Sequence, residues 1–529
     1  MRMTATHASL RFLHAADLHL DAAFKGLSSS VPAGVGTILR DATFTAWSRL
    51  VDAACALRPD FVLLGGDIYN QEDGSLRAQL ALRDGCVRLR EANIPVFIVH
   101  GNHDPLPARA SAVRLPENVT VFGAAQPEAV KVYREGVPVA MVHGMSHATG
   151  RETRSLARLF RRAPADLFQV GLLHCTVDSI AASEQYAPAS LKDFAASDFD
   201  YWALGHIHAP QVAGYAPRVV YPGSPQGLHS NEDGPHGCVL VDVAHGEIST
   251  RLLPLAPVRW AEVVVPLDGS AAAHAADAEP FAGDTPDVRV SGVAVSESGS
   301  VGGEIETPGI LGTLYALDSL DALDDALNTA VEQRVHALTR PEGGAGGFVK
   351  IDKGAPPLWS GLISAGGVAG VAGTADNGRI PWDDTDKFTP PPPEGIVLRV
   401  RLTGRTPLDA TLRDAGVLDE LADRLRDARE GARPFVWIQD IRRETRPEMD
   451  MDAARERGDL LGETLRVAHG LAQNPPDSGP SREMWNAALA PLFRSPQARQ
   501  CCDAPDAKEL TRLMEEAALL CANLLEGEE

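Results

Sequence analysis

The chain has 529 residues, with 49 Lys+Arg against 71 Asp+Glu and a formal net charge of −22. Its 44% hydrophobic and 23% charged content excludes wholesale disorder, and at roughly 150 residues per domain the length predicts about three domains. The acidic balance excludes general coating of nucleic acid, but not an enzyme whose positive charge is local, such as metal ions in a cleft.

From Leu10 to about Val243, short apolar runs read as buried strands, each ending in polar, Gly-rich residues: Leu10–Ala16, Phe61–Leu64, Pro95–Val99, Val139–Val142, Leu167–Leu173 and Tyr201–Leu204. Helical patterns at Ala42–Leu57 and Leu76–Glu91 lie between them, so the expected class is α/β. Arg218–Tyr221 and Cys238–Val243 sit closer together and predict an antiparallel edge. Beyond Pro254 the spacing predicts a strand at Val258–Pro266, a helix at Leu317–Leu338, a strand at Ile396–Leu402, a helix at Leu418–Arg429, a strand at Phe435–Asp440 and a helix at Ala453–Leu471. Residues 341–395 are Gly- and Pro-rich and read as an insertion without a core of its own. After a second linker, Asn474–Ser481, come two amphipathic helical patterns, Arg482–Leu492 and Lys508–Leu525, with little core between them; they predict docking into a groove. The expected organisation is 1–255, 256–475 carrying the 341–395 insertion, and a helical tail, 476–529.

No run of about 18 apolar residues is present to span a membrane, and Met1–Arg11 lacks the apolar core of a secretory signal. Seven scattered cysteines without a CxxC pair make neither a disulfide framework nor a zinc cage, which points to a reducing cytoplasm.

Five of the strands end in metal-ligand side chains. Asp17 and His19 follow the first; Asp67 ends the second in Gly-Gly-Asp; Asn102, His103 and Asp104 follow the third in Gly-Asn-His-Asp; His174 ends the next; His206 and His208 follow the last in Gly-His-Ile-His. A spacing of two puts both side chains of a pair on one side of an extended backbone. Ligands of open α/β sheets gather outside the carboxyl ends of the strands, so seven donors are expected at one volume: Asp17, His19, Asp67, Asn102, His174, His206 and His208. Imidazole and carboxylate without thiolate suit Mn²⁺, Fe or Zn²⁺. Seven donors are too many for one tetrahedral ion but right for two ions sharing a bridge, and Asp67, the lone donor on a central strand, is the candidate bridge. Two ions ~3.5–4 Å apart clamp both the attacking and leaving oxygens of a phosphoryl displacement. Each piece alone has a bland reading, since Gly-Asp after a strand is commonly a turn and a single His commonly structural. The coincidence of all five carries the metal reading. His14, His100, His143 and His147 read as core or supporting residues, whereas His229 and His236 stay unassigned.

The order Asp17-x-His19, Gly66-Asp67, Gly101-Asn102-His103-Asp104, His174 and Gly205-His206-x-His208 resembles the calcineurin-like metallophosphoesterases, within them the SbcD-type DNA-repair exonuclease branch and its YhaO-like relatives. The narrower likeness rests on Ala16-Asp17-Leu18-His19-Leu20-Asp21, on Tyr221-Pro222-Gly223-Ser224-Pro225-Gln226-Gly227 followed by Asn231-Glu232-Asp233-Gly234, and on Leu402-Thr403-Gly404-Arg405-Thr406-Pro407-Leu408. It implies a layered β-sandwich flanked by helices, with a smaller α+β capping domain and C-terminal helices. It implies two divalent ions, Mn²⁺ by family habit, one on Asp17, His19, Asp67 and His208, the other on Asp67, Asn102, His174 and His206. By the same likeness His103 contacts the scissile phosphate and assists the leaving oxygen, while Asp104 orients a neighbouring group. The implied activity is DNA exonuclease/endonuclease cleavage by a two-metal-activated hydroxide, in repair, beside an SbcC-type coiled-coil ATPase that a C-terminal helical pair grips. Relatives dimerise, although no dimer face is evident here. Two departures stand out: Asn70 replaces a commonly acidic residue, and the 341–395 insertion splits the capping domain.

Two other readings compete: a metallophosphatase or small-molecule phosphodiesterase, and a scaffold whose site has decayed. Protein phosphatases of the superfamily have an Arg shortly after Gly-Asp, and Tyr69–Asp73 has none; the intact donor set opposes decay. Arg151, Arg154, Arg158, Arg161 and Arg162 fall at helical spacings, and Arg399, Arg401 and Arg405 alternate along a strand. Each group reads either as a phosphate track or as a solvated face. No aromatic residues interleave them, so base stacking is not indicated.

Overall fold

Strands β1 (Leu10–Ala15), β2 (Phe61–Gly65) and β3 (Val96–Val99) are buried at every position, which is why β2 and β3 read as continuous apolar runs and β1 as one broken only by Arg11 and His14, without alternation. In the computed structural model, which describes residues 9–27, 31–70, 74–106, 113–177, 185–244, 246–267, 319–339, 349–350, 388–449, 451–473 and 521, they run parallel, β1 beside β2 and β2 beside β3. Strand β4 (Val119–Val121) extends this sheet on one side. After strands β5 (Glu128–Arg134) and β6 (Val137–Met145) come β7 (Phe168–His174), β8 (Tyr201–Gly205), β9 (Gln211–Tyr215) and β10 (Arg218–Tyr221). These form a second sheet in the order β5-β6-β7-β8-β10-β9, its four central strands parallel. Strands β11 (Gly237–Ala244), β12 (Glu247–Pro254) and β14 (Val349–Lys350) return to the first sheet, ordered β14-β12-β11-β1-β2-β3-β4.

Aromatic side chains fill the space between the sheets. Phe12 stacks on Phe61 with ring centroids 4.8 Å apart and meets Tyr201 edge-on at 5.2 Å, geometries that add to the area they bury. Helices α1 (Ala33–Leu57) and α2 (Leu76–Glu91) cover the outer face of the first sheet through Trp47, Leu50, Leu82 and Leu89. Ser75 caps α2, its side chain accepting the Ala78 amide. Helix α3 (Leu191–Ser197), closed by a Ser190/Asp193 capping box, packs Phe194 against Trp202 on the second sheet. The result is an α/β layered sandwich flanked by helices.

The smaller α+β part is a sheet ordered β13-β15-β16, from β13 (Val258–Pro266), β15 (Gly395–Thr406) and β16 (Phe435–Pro447). β13 and β15 pair in parallel from Val258↔Gly395 to Pro266↔Thr403, and a parallel pair needs a crossover. Helix α4 (Leu320–Thr339) lies in it, burying Leu323, Leu327 and Val331. After the short α5 (Asp409–Leu412), α6 (Ala415–Asp427) buries Leu421 and Leu425. The described residues fall into two compact units, one reaching Gly404 and including Thr411–Glu444, the other made of Arg405–Ala410 and residues from Thr445 on. In the latter, α7 (Met451–Glu456) and α8 (Leu460–Gln473) share a small core of Ala454, Leu461 and Leu465.

Several expectations are corrected. Cys238–Val243 is no edge: β11 lies inside the first sheet between β1 and β12, while Arg218–Tyr221 belongs to the other sheet. Closeness in sequence does not settle pairing, because each run forms its own hairpin, β10 with β9 and β11 with β12. The helix expected over Ala453–Leu471 is two helices, since Gly458 interrupts it and Asp459 caps the second through the Gly462 amide at 3.0 Å. The Gly/Pro-rich insertion contributes β14 and packs Phe388 on the first core. Residues 341–348 and 351–387 of that insertion and both tail patterns lie outside the described residues, Cys521 excepted. Among the described residues no helix is long and apolar enough to cross a membrane.

Candidate metal centre

The extensions of β1 and β2 are laced together: the Asp17 amide donates to Gly66 O at 2.9 Å and the His19 amide to Asp67 O at 3.0 Å. To turn donors toward one point, the backbone adopts left-handed conformations at non-glycine residues, with φ of 53° at Asp17, 41° at His19, 46° at Asp67 and 106° at His206. Such residues cost about 1–3 kcal/mol each and persist only when their surroundings hold them. Close approach of the two sheets does the holding. A Cβ on Gly205 would lie 2.1 Å from Gly65 O, and one on Gly66, itself at φ 100°, would lie 2.5 Å from His174 Nδ1.

Ligand atoms of Asp17, His19 and His208 lie within 4.8 Å of one another, as do those of Asp17, Asp67 and His174. Asp67 Oδ2 stands 3.5 Å from His174 Nε2 and 3.8 Å from His19 Nε2. Asn102 Oδ1 is 3.0 Å from His174 Nε2. His206 enters neither group of three; its amide donates to Asp17 Oδ1 and Oδ2 at 3.1 and 3.0 Å, and its ring centroid is 5.4 Å from that of His174. His103 is exposed at the rim, its ring edge-on to His19 at 4.9 Å and its amide donating to Asp67 Oδ1 at 3.0 Å. Asp104 is wholly buried and accepts from the Ile68 amide at 3.0 Å, the Gly101 amide at 2.9 Å and His100 Nδ1 at 2.9 Å. It braces the loops after β2 and β3 and makes no contact of its own with the open face.

Burial raises the Asp17 carboxyl to about 6, against the pull of His208. Asp67 is pushed well above the ordinary carboxylate value by burial and by the negative charges of Asp17 and Asp104. His19 and His174 are held well below their ordinary value, first by burial and then by neighbouring imidazoles, so both are neutral and have a lone pair to give. Among the described residues no Lys or Arg pairs with Asp17 or Asp67. His19 Nδ1 is buried with no hydrogen-bond partner, and His19 Nε2 faces His208 Nε2 at 3.1 Å. Two unneutralised buried carboxylates among facing imidazole nitrogens are the donor chemistry of borderline divalent cations, and the residues fit such ions.

A pH signature follows. A carboxyl whose folded pKa is raised contributes stability that is complete below its unfolded value, ~3.9, and lost as pH rises through the folded value. For Asp17 that value is about 6, and for Asp67 it is also raised. Metal-free protein should therefore lose stability across this window, while cation binding, which needs the ionised carboxylates, strengthens. The rise in melting temperature on adding Mn²⁺ is expected to be larger at ~pH 7.5 than at ~pH 5.5; equal shifts would contradict the assignment.

Most of the arginines in both groups are folded onto carboxylates. Residues 151–162 form no helix beyond a 3₁₀ turn at Leu156–Leu159, which buries Leu156 and Ala157. Arg154 pairs with Glu152 at 2.6 Å, Arg158 with Asp193 at 2.8 Å and Arg162 with Asp200 at 3.0 Å, while Arg161 donates to the Arg158 and Phe160 carbonyls. Arg399 pairs with Asp440, Arg401 with Glu262 and Glu444, and Arg405 donates to Pro447 O. Spacing of one residue type without an apolar stripe does not make a helix face. Sequence reasoning also gives no role to Glu232, which lies 2.5 Å from His208 Nδ1; its only signal is its place in the Asn-Glu-Asp-Gly turn.

Residues 10–210 match the calcineurin-like phosphoesterase family, and residues 390–446 match the middle domain of metallophosphoesterase YhaO. The uncharacterized metallophosphoesterase YhaO of Bacillus subtilis strain 168 is 38% identical over 257 residues, 48% of this chain and 63% of its own. DNA double-strand break repair protein Mre11 of Aeropyrum pernix is 30% identical over 233 residues, covering 40% of this chain and 53% of the relative. Mre11 of Thermoplasma acidophilum is 26% identical over 230 residues, covering 41% and 60%. The chain thus spans less than two thirds of the length of each of these relatives. With the donor-bearing strand ends inside the matched segment, residues 10–210 are a calcineurin-like metallophosphoesterase domain.

Proposed function

We propose that this protein is a Mn²⁺-dependent DNA phosphodiesterase, an exonuclease/endonuclease acting in repair in the cytoplasm beside an SbcC-type coiled-coil ATPase. The observation that carries the hydrolytic reading is the pair of donor groups sharing Asp17, overlooked by an exposed histidine. Likeness to Mre11 proteins supports DNA as the substrate. Asp17, His19, Asp67 and His208 would hold one cation, and Asp67, Asn102, His174 and His206 the other. Two such ions supply charge neutralisation for a phosphate and a lowered pKa for water. The chain's own residues do the rest. His103 Nδ1 lies 3.4 Å from Asn70 O, so a proton there is held by the carbonyl and Nε2 is left to give or take a proton at the leaving oxygen. The Asp104 brace and the His103 amide on Asp67 fix the loop that carries this ring. The sheet β13-β15-β16 with its helices would be the capping domain.

Carboxylate pairing of Arg154, Arg158 and Arg162 in one group and of Arg399 and Arg401 in the other favours a second reading, a metallophosphatase or small-molecule phosphodiesterase, because a DNA track needs unpaired cations. Linear DNA and p-nitrophenyl phosphate mono- and diesters, each with Mn²⁺ or with chelator, separate the two. Chelator-sensitive DNA cleavage is expected; intact DNA beside rapid hydrolysis of a small ester would transfer the assignment to the second reading.

A further inference from the structure

The loop from Ser224 to His236, between β10 and β11, reaches the metal centre through one carboxylate. Glu232 Oε1 lies 2.5 Å from His208 Nδ1 and 3.1 Å from His229 Nε2, and Oε2 accepts the Leu228 amide at 2.6 Å. The side chain is nine-tenths buried, at 9% exposure. His229 Nδ1 accepts the Asn231 amide at 3.2 Å, so its proton sits on Nε2 and points at Glu232. A neutral His208 then donates from Nδ1, which leaves its Nε2 lone pair facing His19 and the rest of the donor group. An imidazole fixed in this tautomer and orientation is a better ligand than one free to rotate.

The loop that carries Glu232 is itself clamped by the β13-β15-β16 sheet. Gln226 exchanges two bonds with the Val258 backbone, at 2.7 and 3.1 Å, Trp260 Nε1 donates to Gly227 O at 3.0 Å, and Arg399 donates to Ser230 Oγ at 2.5 Å. On the other side the Lys25 amide donates to Leu228 O at 2.9 Å.

We propose that Glu232 is a positioning residue that locks His208 as a metal ligand, its carboxylate aimed by His229 and its loop anchored on the β13-β15-β16 sheet. This rests on the metal reading above and names a determinant of that site outside the strand-end donors. The test is Mn²⁺ titration by calorimetry, with bound ions counted by electron paramagnetic resonance, on full-length parent, Glu232→Gln and Glu232→Asp. The first variant removes the charge at constant size; the second keeps the charge but withdraws it from His208. Both are expected to bind one Mn²⁺ equivalent as the parent does and the other ~10–100-fold more weakly, with melting temperatures in EDTA close to the parent's. Parent-like affinity at both equivalents in both variants overturns the proposal and leaves the metal reading standing. Equal weakening of both equivalents, or a large fall in the EDTA melting temperature, also overturns it, because Glu232 would then maintain the loop fold and not one ligand. Failure of the parent itself to bind Mn²⁺ defeats the underlying metal reading.

Discussion

Asp67→Asn is expected to cut Mn²⁺ binding from two equivalents to at most one, with affinity weakened by at least ~10²-fold, since losing even an outer-shell partner costs ~10–100-fold. Asp67 Oδ2 lies 3.5 Å from His174 Nε2 and 3.8 Å from His19 Nε2, within reach of one histidine from each of the two donor groups that share Asp17. An amide keeps the acceptor for the His103 N–H, now 3.0 Å from Oδ1, but brings no charge to offset two cations. It also removes a buried carboxyl that Asp17 and Asp104 already disfavour as an anion. The metal-free variant should therefore melt no lower than the parent, while the upward shift on adding Mn²⁺ shrinks. Calorimetric titration and melting curves with and without metal read both effects. A variant that melts lower when metal-free yet binds two equivalents would reassign Asp67 to the fold.

His103→Ala separates turnover from binding. This ring is exposed at the rim and stands edge-on to His19, so its loss opens no cavity and changes the melting temperature little. General acid–base assistance is typically worth ~10²–10⁴-fold, and turnover with saturating Mn²⁺ should fall by that much while both equivalents remain bound. Parallel loss of metal and turnover would make His103 another ligand. Leaving-group dependence gives an independent check: an activated p-nitrophenyl diester, which needs little protonation on departure, should lose less than a DNA phosphodiester.

The sandwich is legible because its central strands are buried on both faces and end at donors, so composition marks strand and site together. Phe61–Gly65 contains no polar side chain before the chain reaches Asp67, and Leu10–Ala15 interrupts its apolar run only at the buried Arg11 and His14 before Asp17. Strand β5 escapes notice because it is a largely exposed edge with only Val132 fully buried. The first nine residues of α1 escape because Gly34 and Gly36 dilute the helical pattern and only Leu39 among them is buried. Glu232 escapes for a different reason: its bond to His208 joins residues 24 apart across two elements, and no local period encodes such a contact. The arginines at 154, 158 and 162 mislead because charge spacing does not encode which carboxylates fold back onto them, and Glu152, Asp193 and Asp200 do.

Asp17, His19, Asp67 and His206 occupy left-handed backbone that a glycine would adopt with less strain. Each is a small debt of folding held against the ability to ligate, about 1–3 kcal/mol apiece. A lineage released from hydrolysis would be free to drift toward glycine at these four places and would become sturdier as it became inert. On the proposed metal reading, Asp, His, Asp and His stand at these strained torsion angles for ligation and not for the fold. An engineer wanting the sandwich as a bare scaffold would begin at these same four residues.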